Sequence, residues 1–342
     1  MATLKDVAAL AGVGMSTASR AISGRGPVSA DALARVQAAI AELNFRPSSI
    51  GRALSTQSLG MIGIFVPTFF GPYYGTILKQ TDTELRKVHR HVVVATGYGD
   101  DSPRDQAIEA VQFLIGRDCD GVVVTSHDLH DDDLIKLHHM HPKMVFLNRD
   151  FAQMPEASFC ADHHRGGVLA AQTLLAHKHK KIAVISGPFQ ASDNHARITG
   201  FFDELARNGI DRTEVQLIES DFSPDGGYDS VRALLASKKK FTGLFCANDT
   251  MAIGAISCLQ QAGISVPDDM SVVGYDDDYS AAFSAPGLTS VHIPTADLTQ
   301  NAVRWLLNAC YGTAYTIYRE FPVTVTNRAS VAAPRKKNAL LK

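Results

Sequence analysis

The sequence has few cysteines, and their arrangement argues against some classes of protein. There are five in 342 residues, an odd number, and no two of them form a CxxC pair: Cys119, Cys160, Cys246, Cys258 and Cys310. A disulfide framework or a zinc ribbon needs paired, closely spaced cysteines. The pattern therefore favours reduced thiols in a cytoplasmic protein.

Long apolar runs suited to a membrane are also lacking. An uncharged stretch extends from Leu54 to Leu78, but it contains Pro67 and Pro72, and its run MIGIFVP has the length of a buried strand. Lys5 and the acidic residue after it interrupt any early apolar run, so no signal peptide is expected. We therefore expect neither membrane insertion nor secretion.

The motifs of several enzyme classes are absent. There is no GxSxG and no P-loop, and TGYGDDS lacks the third glycine of a dinucleotide-binding GxGxxG. The histidines of two short runs do not have the HExxH spacing of a zinc site: His138, His139, His141, His163 and His164. We therefore expect no catalytic residues, bound metal or cofactor, and interpret the histidine runs as solvated surface.

Charge is divided unevenly along the chain. Residues 1–60 contain six basic and three acidic side chains, hence a net charge of +3. The whole chain carries −2, so the remainder carries −5. This asymmetry favours a polyanion-binding head on an ordinary soluble body.

The first 45 residues have the pattern of three short helices. Thr3 and Asp6 have the spacing of a capping box, Gly12 follows the first helix, and Ser29 is placed to cap the third. Apolar positions of the third helix complete a small core: Leu33, Val36, Ile40 and Leu43. Two helices joined by a Gly-containing turn are typical of proteins that read the major groove, although a three-helix protein-interaction module has the same pattern.

The second of these helices has two different faces. One arc is suited to packing: Thr17, Ala18, Ala21 and Ile22. The opposite arc faces outward: Met15, Ser16, Ser19 and Arg20. Because Arg can donate two hydrogen bonds to guanine and hydroxyls can hold phosphates, this outward arc is the predicted DNA-reading surface.

The stretches TLKDVAALAGVGMSTASRAISG and VSADALARVQAAIAELNFRPSSIGRAL resemble the head and hinge of the LacI/GalR family of bacterial transcription regulators, and the resemblance extends over nearly the whole chain. It implies a helix-turn-helix head over 1–46 and a hinge helix and linker over 47–59, with an apolar wedge in the minor groove. The implied DNA contacts are Thr3, Leu4, Met15, Ser16, Thr17, Ser19, Arg20, Ser29, Arg52 and the wedge Leu54. Gly14 stands where the family usually has Ser, so one hydroxyl that could hold a phosphate is missing.

From Met61 onward, short apolar runs alternate with helical patterns. The runs are MIGIFVP, HVVVATG, GVVVTS, MVFLNR, KIAVISG, QLIES, GLFCAND and MSVVGYD, and a late strand lies in EFPVTVTN. Strands buried on both faces have this composition, and alternating β and α units indicate parallel sheets. The predicted fold is therefore α/β: a small all-α helix-turn-helix head and two doubly wound parallel subdomains. It resembles the periplasmic-binding-protein type that forms the core of the same family.

We expect an effector-binding and dimerisation core over 60–335. Its N-subdomain covers about 60–160 and 292–321, its C-subdomain covers about 161–291 and 322–335, and a short tail follows over 336–342. The tail VAAPRKKNALLK has too few apolar positions for a coiled coil, so we expect a homodimer rather than a zipper-linked tetramer.

Ligands of open parallel sheets bind beyond the carboxyl ends of the strands, so polar residues that follow the apolar runs are candidate contacts. Charged groups together with an aromatic face suit a sugar. The candidates are Tyr73, Tyr74, Arg149, Arg197, Phe222, Asn248, Asp249 and Asp276, and the resemblance implies effector contact for all of them except Asp249. An alternative is that Asp249 and Asp276 cap helices and that Arg197 forms a salt bridge between lobes.

These features predict a repressor of carbohydrate-utilisation genes that binds a near-palindromic operator as a homodimer. A small sugar between the two subdomains would change its operator affinity allosterically. The segment TGYGDDSPRDQAIEAVQFLIGRDCD resembles branches of the family that respond to galactose and β-glucosides. Alternatives are a non-catalytic sugar receptor, or a regulator with a non-sugar effector such as a purine as co-repressor. An enzyme on the same fold is a further alternative, but no nucleophile or acid–base pair supports it.

Overall fold

The computed structural model describes residues 2–24, 26–45, 58–97 and 99–334. The chain forms two compact units, Met1–Met61 with Asp118–Asp120 and Ile62–Arg117 with Gly121–Lys342. Arg52, Leu54 and the rest of the predicted hinge helix lie outside the described residues. The subdomain boundaries given above remain a prediction.

The head consists of α1 (Leu4–Leu10), α2 (Met15–Ser23) and α3 (Ala30–Glu42). The capping box forms as predicted: Thr3 N donates to Asp6 Oδ2 at 2.8 Å, and Asp6 N donates to the Thr3 hydroxyl at 3.3 Å. The core of the head is built from small apolar side chains: Val7, Ala8, Ala11, Ala18, Val36 and Ala39. Of the predicted positions on α3, Val36 is buried and Ile40 and Leu43 pack against this core, whereas Leu33 is only half-buried and is not part of it.

The first lobe of the core is a five-stranded sheet in the order β2-β1-β3-β4-β5, in which the pairs β1–β3, β3–β4 and β4–β5 are parallel. Its elements are β1 (Met61–Phe65), α4 (Pro72–Lys87), β2 (His91–Ala95), α5 (Pro103–Gly116), β3 (Gly121–Val124), α6 (Asp131–Met140), β4 (Met144–Leu147) and β5 (Ser158–Phe159). A 3₁₀ turn, Pro155–Ala157, precedes β5.

The second lobe is a six-stranded sheet in the order β11-β10-β9-β8-β6-β7, parallel except for the antiparallel pair β10–β11. Its elements are α7 (His163–Ala176), β6 (Ile182–Ser186), α8 (Ser192–Arg207), β7 (Gln216–Glu219), α9 (Pro224–Ala236), β8 (Gly243–Cys246), α10 (Asp249–Gln261), β9 (Ser271–Asp276), β10 (Thr289–His292) and β11 (Thr324–Thr326). 3₁₀ turns lie at Arg212–Glu214 and Tyr279–Ala282.

The chain crosses between the lobes. Helix α11 (Thr295–Tyr311) follows a strand of the second sheet but packs against α4 and β4 of the first lobe, and β11 then returns to the second sheet. The predicted α/β fold class is confirmed. Two strands were not predicted: β5 has only two residues, and β10 contains the buried polar residues Thr289 and Ser290, so it does not form an apolar run.

Helices α7 and α8 approach each other closely because of two glycines. A Cβ on Gly167 would lie 1.8 Å from the carbonyl oxygen of Arg197, and a Cβ on Gly200 would lie 2.0 Å from that of His164. His163 and Asp193 lie in the first turns of these two helices. No helix in the described part of the chain combines the length and the hydropathy needed to cross a bilayer.

Candidate functional site

A cavity of about 710 Å³ lies between the two lobes of the core, at the carboxyl ends of both sheets. The segments that follow β1, β3 and β4 supply one wall, and those that follow β6, β7, β8 and β9 supply the other. It is lined by six of the eight predicted effector residues: Tyr73, Tyr74, Arg197, Phe222, Asn248 and Asp276. This is the position at which doubly wound sheets bind ligands.

Aromatic rings form part of the lining. Tyr73 and Tyr74, in the first turn of α4, meet edge to face with centroids 5.2 Å apart, and burial raises the pKa of both hydroxyls, which therefore stay protonated at neutral pH. Phe222 follows β7 with φ +65°, and its ring lies where a Cβ on Gly187 would come within 2.1 Å of it. The absence of a side chain at Gly187 is therefore what makes room for the Phe222 ring.

Arg197 of α8 is the buried cation of the cavity, with 2% of its surface exposed. Its guanidinium donates to the carbonyl oxygen of Ala247 and, at 3.1 Å, to Asp193 Oδ2. It also lies 3.8 Å from the centroid of the Tyr275 ring. The salt bridge is made within α8, one turn away, so the predicted alternative of a salt bridge between lobes is not what this side chain forms.

One donor of this guanidinium points at no acceptor. Among the residues that the structure describes, buried Arg197 Nε has no hydrogen-bond partner. A buried donor left without a partner costs roughly 1–3 kcal/mol or more. The Nε atom has almost no accessible surface, so a molecule in the cavity does not reach this donor in the arrangement seen here.

A chain of hydrogen bonds crosses between the lobes behind Arg197. Asn148, which follows β4 of the first lobe, donates through Nδ2 to Asp193 Oδ2 at 3.0 Å, and its Oδ1 lies 2.6 Å from His163 Nε2. The other ring nitrogen of His163 lies 2.9 Å from the Tyr275 hydroxyl, and the side chain is buried, so the prediction of a solvated surface is wrong for this histidine. Burial, with Arg197 nearby, lowers the pKa of His163 to about 4, so the ring is neutral at physiological pH.

Two acidic groups follow the strands of the second lobe and differ in role. Burial raises the pKa of Asp276, at the end of β9, to about 7, while Arg197 acts in the opposite direction. Asp249 is fully buried and does not line the cavity. Its carboxyl accepts hydrogen bonds from the Ser290 hydroxyl at 2.6 Å and from Asp278 N at 2.8 Å. Asp249 therefore supports the loop that follows Asp276. Contrary to the prediction, its side chain does not line the cavity.

Arg149 also does not line the cavity. It donates to the carbonyl oxygen of Leu129 at 2.6 Å and to Asp131 Oδ1 at 2.5 Å, which ties the end of β4 to the start of α6. Asn148, which precedes Arg149, has φ +56°, so the chain turns after β4, and the two hydrogen bonds hold the Arg149 side chain on its own lobe.

Asn248 both lines the cavity and caps a helix. Its Oδ1 accepts from Met251 N at 2.8 Å at the start of α10, and its Nδ2 donates to the carbonyl oxygen of Phe222 at 3.0 Å. The second bond ties Asn248 to the segment that carries the Phe222 ring.

Other lining residues were not predicted from the sequence: His127, Asp128, Asn148, Asp193, Asp221 and Asp225. A signal existed for His127, Asp128 and Asn148, since each follows an apolar run, GVVVTS or MVFL. Asp193 lies in the first turn of a helix, and its spacing of four residues from Arg197 was the available signal.

The outward arc of α2 has the exposure that its pattern predicts. Met15, Ser16, Ser19 and Arg20 are exposed, whereas Ala18 is buried and Thr17 is half-buried. Of the other predicted DNA contacts within the described residues, Thr3 and Ser29 are exposed N-caps and Leu4 is half-buried. Gly14, the N-cap of α2, provides no side-chain hydrogen bond to the helix.

Comparisons with known proteins identify the family. The family model described as "Bacterial regulatory proteins, lacI family" matches residues 3–48, and the model described as "Periplasmic binding protein-like domain" matches residues 171–331. The HTH-type transcriptional regulator AscG of Escherichia coli (strain K12) is 30% identical over 340 residues, which cover 98% of this chain and 100% of AscG. The chain belongs to the LacI family of bacterial regulatory proteins. It is a DNA-binding transcriptional regulator, as predicted.

Solved structures of LacI-family proteins have the same fold. A LacI-family transcriptional regulator from Burkholderia phymatum is 74% identical, with a TM-score of 0.79, over 80% of this chain and 99% of that one. The lac repressor dimer bound to operator and the anti-inducer ONPF is 29% identical, with a TM-score of 0.86, over 97% and 99%. A LacI-family regulator from Enterococcus faecium with bound ribose is 27% identical, with a TM-score of 0.71, over 80% and 100%.

Proposed function

We propose that this LacI-family chain is a cytoplasmic, non-catalytic repressor of carbohydrate-utilisation genes, and that its operator affinity is set by a neutral sugar in the cavity between the core lobes. The observation that carries the effector proposal is the cavity itself, whose lining combines the polar side chains of Arg197, Asn248 and Asp276 with the aromatic rings of Tyr73, Tyr74 and Phe222. The lac repressor complex with operator and anti-inducer, and the ribose complex of the Enterococcus faecium relative, support a ligand of this kind.

The charge of the cavity favours an uncharged ligand. Arg197 is already paired with Asp193, and the only other basic side chain among the described lining residues is His127. Five carboxyl groups line the same cavity: Asp128, Asp193, Asp221, Asp225 and Asp276. A phosphorylated or carboxylated sugar would meet more negative than positive charge here, whereas the hydroxyls of a neutral sugar would find acceptors.

The aromatic lining favours a ligand with an apolar face. The rings of Tyr73, Tyr74 and Phe222 can cover the C–H face of a pyranose, while carboxylates bind its hydroxyls at the edge. The sequence resemblance favours galactosides or glucosides, and an aromatic base such as a purine is the second candidate for the same rings.

Thermal-shift measurements with a ligand panel test the effector proposal. The panel contains galactose, methyl β-galactoside, glucose, cellobiose, glucose 6-phosphate and hypoxanthine, because binding to the folded state raises Tm with ligand concentration. We expect a shift with a neutral sugar that the Arg197→Ala variant loses. A shift only with glucose 6-phosphate would contradict the charge argument, and a shift only with hypoxanthine would establish the alternative.

Operator binding tests the DNA proposal. The exposed arc of α2 is expected to face the bases through Met15, Ser16 and Arg20, with the hydroxyls of Thr3, Thr17, Ser19 and Ser29 near phosphates. Salt-dependent retention on duplex DNA should disappear when residues 1–59 are removed. Retention by the truncated core would contradict the assignment of DNA binding to the head.

A homodimer is also proposed, because two half-sites of a near-palindrome require two heads. The turn Tyr279–Ala282 supports a subunit contact: the rings of Tyr279 and Phe283 are 79% and 72% exposed and lie 4.8 Å apart. Exposed adjacent aromatic rings are typical of interaction surfaces. Light scattering should give a dimer for the wild type and a smaller species for Phe283→Asp; a tetramer would contradict the proposal.

A further inference from the structure

The carboxylate of Asp120 binds the segment through which the chain enters the core. Ser58, the first described residue of the predicted hinge and linker segment 47–59, donates its hydroxyl to Asp120 Oδ2 at 2.7 Å. The next three backbone N–H groups point at the same carboxylate: Leu59 N at 3.1 Å, Gly60 N at 2.8 Å and Met61 N at 3.2 Å. We call these five residues, 58–61 and Asp120, the Asp120 clamp.

Local backbone geometry makes the Asp120 clamp possible. Gly60 has φ +69°, a conformation that a side chain disfavours, and it turns consecutive N–H groups toward one point. Consecutive N–H groups arranged in this way form a concave anion site. Here the anion belongs to the chain itself, and Asp120 N also donates to the carbonyl oxygen of Met61 at 2.8 Å, so both chain segments are fixed to each other.

The position of the clamp in the chain gives it a mechanical role. Met61 begins β1, and Asp120 immediately precedes β3, so the clamp fixes residues 58–60, the connector between the predicted hinge helix and the core, at the amino ends of two paired strands. The cavity lies beyond the carboxyl ends of the same strands. Because hydrogen bonds to a carboxylate are stronger than those between neutral groups, the clamp should hold residues 58–60 to the residue that precedes β3.

We propose that Asp120 is a positioning residue for operator binding, which holds the connector to the first lobe so that the orientation of that lobe determines whether the hinges can sit on the operator. The inference rests on the proposed function. Without the carboxylate, three backbone donors and one hydroxyl lose their shared acceptor, and the connector is no longer fixed to β1 and β3. The heads themselves are unchanged, so binding that does not depend on hinge geometry is retained.

The test uses the full-length protein with the variants Asp120→Asn and Ser58→Ala. Their affinity is measured for the site that the wild type selects from a random duplex library and for a random duplex. Asp120→Asn should weaken specific binding about 10- to 100-fold, as expected when a charged partner is removed, and leave random-duplex binding within about twofold. In the complex with the selected site, trypsin should cleave after Arg52 faster in Asp120→Asn than in wild type.

A matched control is available two residues away. Asp118 is exposed and has φ +53°, which Asn tolerates, so Asp118→Asn removes the same charge from the same loop without touching the clamp. It should bind both duplexes like wild type. Ser58→Ala should have a smaller effect, and in the double variant it should add little to Asp120→Asn, because both act on one contact.

Three results would overturn the inference. Asp120→Asn could bind the selected site like wild type, it could lose specific and random binding equally, or Asp118→Asn could have the same effect as Asp120→Asn. The first would show that the clamp does not position the hinge, and the second that the substitution damages the fold generally. The third would show that the loss of one negative charge from this loop, and not the loss of the clamp, lowers operator affinity. Failure of the wild type to select any site would instead overturn the proposed function.

Discussion

Sugar affinity should depend on pH through Asp276. Burial raises the pKa of this carboxyl to about 7, with Asp278 and Asp193 adding to the effect and Arg197 opposing it. The ionised form only accepts hydrogen bonds, so it binds ligand hydroxyls better than the protonated form does. Binding therefore favours ionisation, and the affinity should rise as pH increases through 7.

The size of the effect follows from the pKa. At pH 6 about one tenth of Asp276 is ionised and at pH 8 about nine tenths, so affinity should increase roughly tenfold if only the ionised form binds. Stability of the ligand-free protein should change in the opposite direction. A carboxyl with a raised pKa contributes stability that is fully present below its ordinary pKa near 4 and is lost as pH rises through 7.

Isothermal titration calorimetry at pH 6, 7 and 8 measures this dependence, with the sugar that raises Tm in the panel. The side chain of the Asp276→Asn variant is neutral at every pH, so its sugar affinity should be lower than that of the wild type and should not change with pH. His127 also lines the cavity, so His127→Gln serves as the control and should keep the slope. A flat wild-type profile, or an equally steep one in Asp276→Asn, would refute the reasoning.

Three other substitutions have defined outcomes. Arg20→Ala should cost about 1–3 kcal/mol in operator binding and relax base choice in a selection experiment, whereas Arg35→Ala on α3 should change base choice little. Gly167→Ala should lower the free energy of urea unfolding by at least about 1–3 kcal/mol, because its Cβ would meet backbone 1.8 Å away, while Gly75→Ala, with open space around it, should stabilise by up to about 1 kcal/mol. Asn148→Ala should cost about 1–3 kcal/mol in the same assay, because it leaves His163 and Asp193 without this partner.

Sequence periodicity predicted most of the fold because parallel strands buried on both faces form continuous apolar runs. It failed at β10, where Ser290 is buried yet polar, because its hydroxyl binds the carboxyl of Asp249. That bond also explains why Asp249 does not line the cavity: the sequence places it after a strand, where effector contacts are expected, and only its partner in the structure shows that it points inward. Pairings distant in sequence are not visible in spacing.

The candidate site was predicted in part for a similar reason. Residues at or just after strand ends, such as Asn248 and Asp276, were correctly predicted to line the cavity because the carboxyl ends of the strands face it. Asn148 and Arg149 are adjacent, and the sequence favoured the charged residue. In the structure Asn148 lines the cavity, and Arg149 is bound to Leu129 and Asp131 on its own lobe.

The hydrogen bonds that join the lobes allow only one assignment of donors and acceptors, and this assignment begins at a carboxylate beside the ligand cavity. The Asp193 carboxylate, whose pKa Arg197 lowers against the effect of burial, only accepts, so Asn148 must donate to it through Nδ2 and accept through Oδ1. His163 must then donate from Nε2, which leaves its Nδ1 to accept from the Tyr275 hydroxyl. The carboxylate at the start of this chain is the one that Arg197 holds. A ligand that contacts the Arg197 guanidinium in the cavity would therefore change the charge distribution around the Asp193–Asn148 contact, so a ligand could shift the balance between lobe arrangements without touching the first lobe.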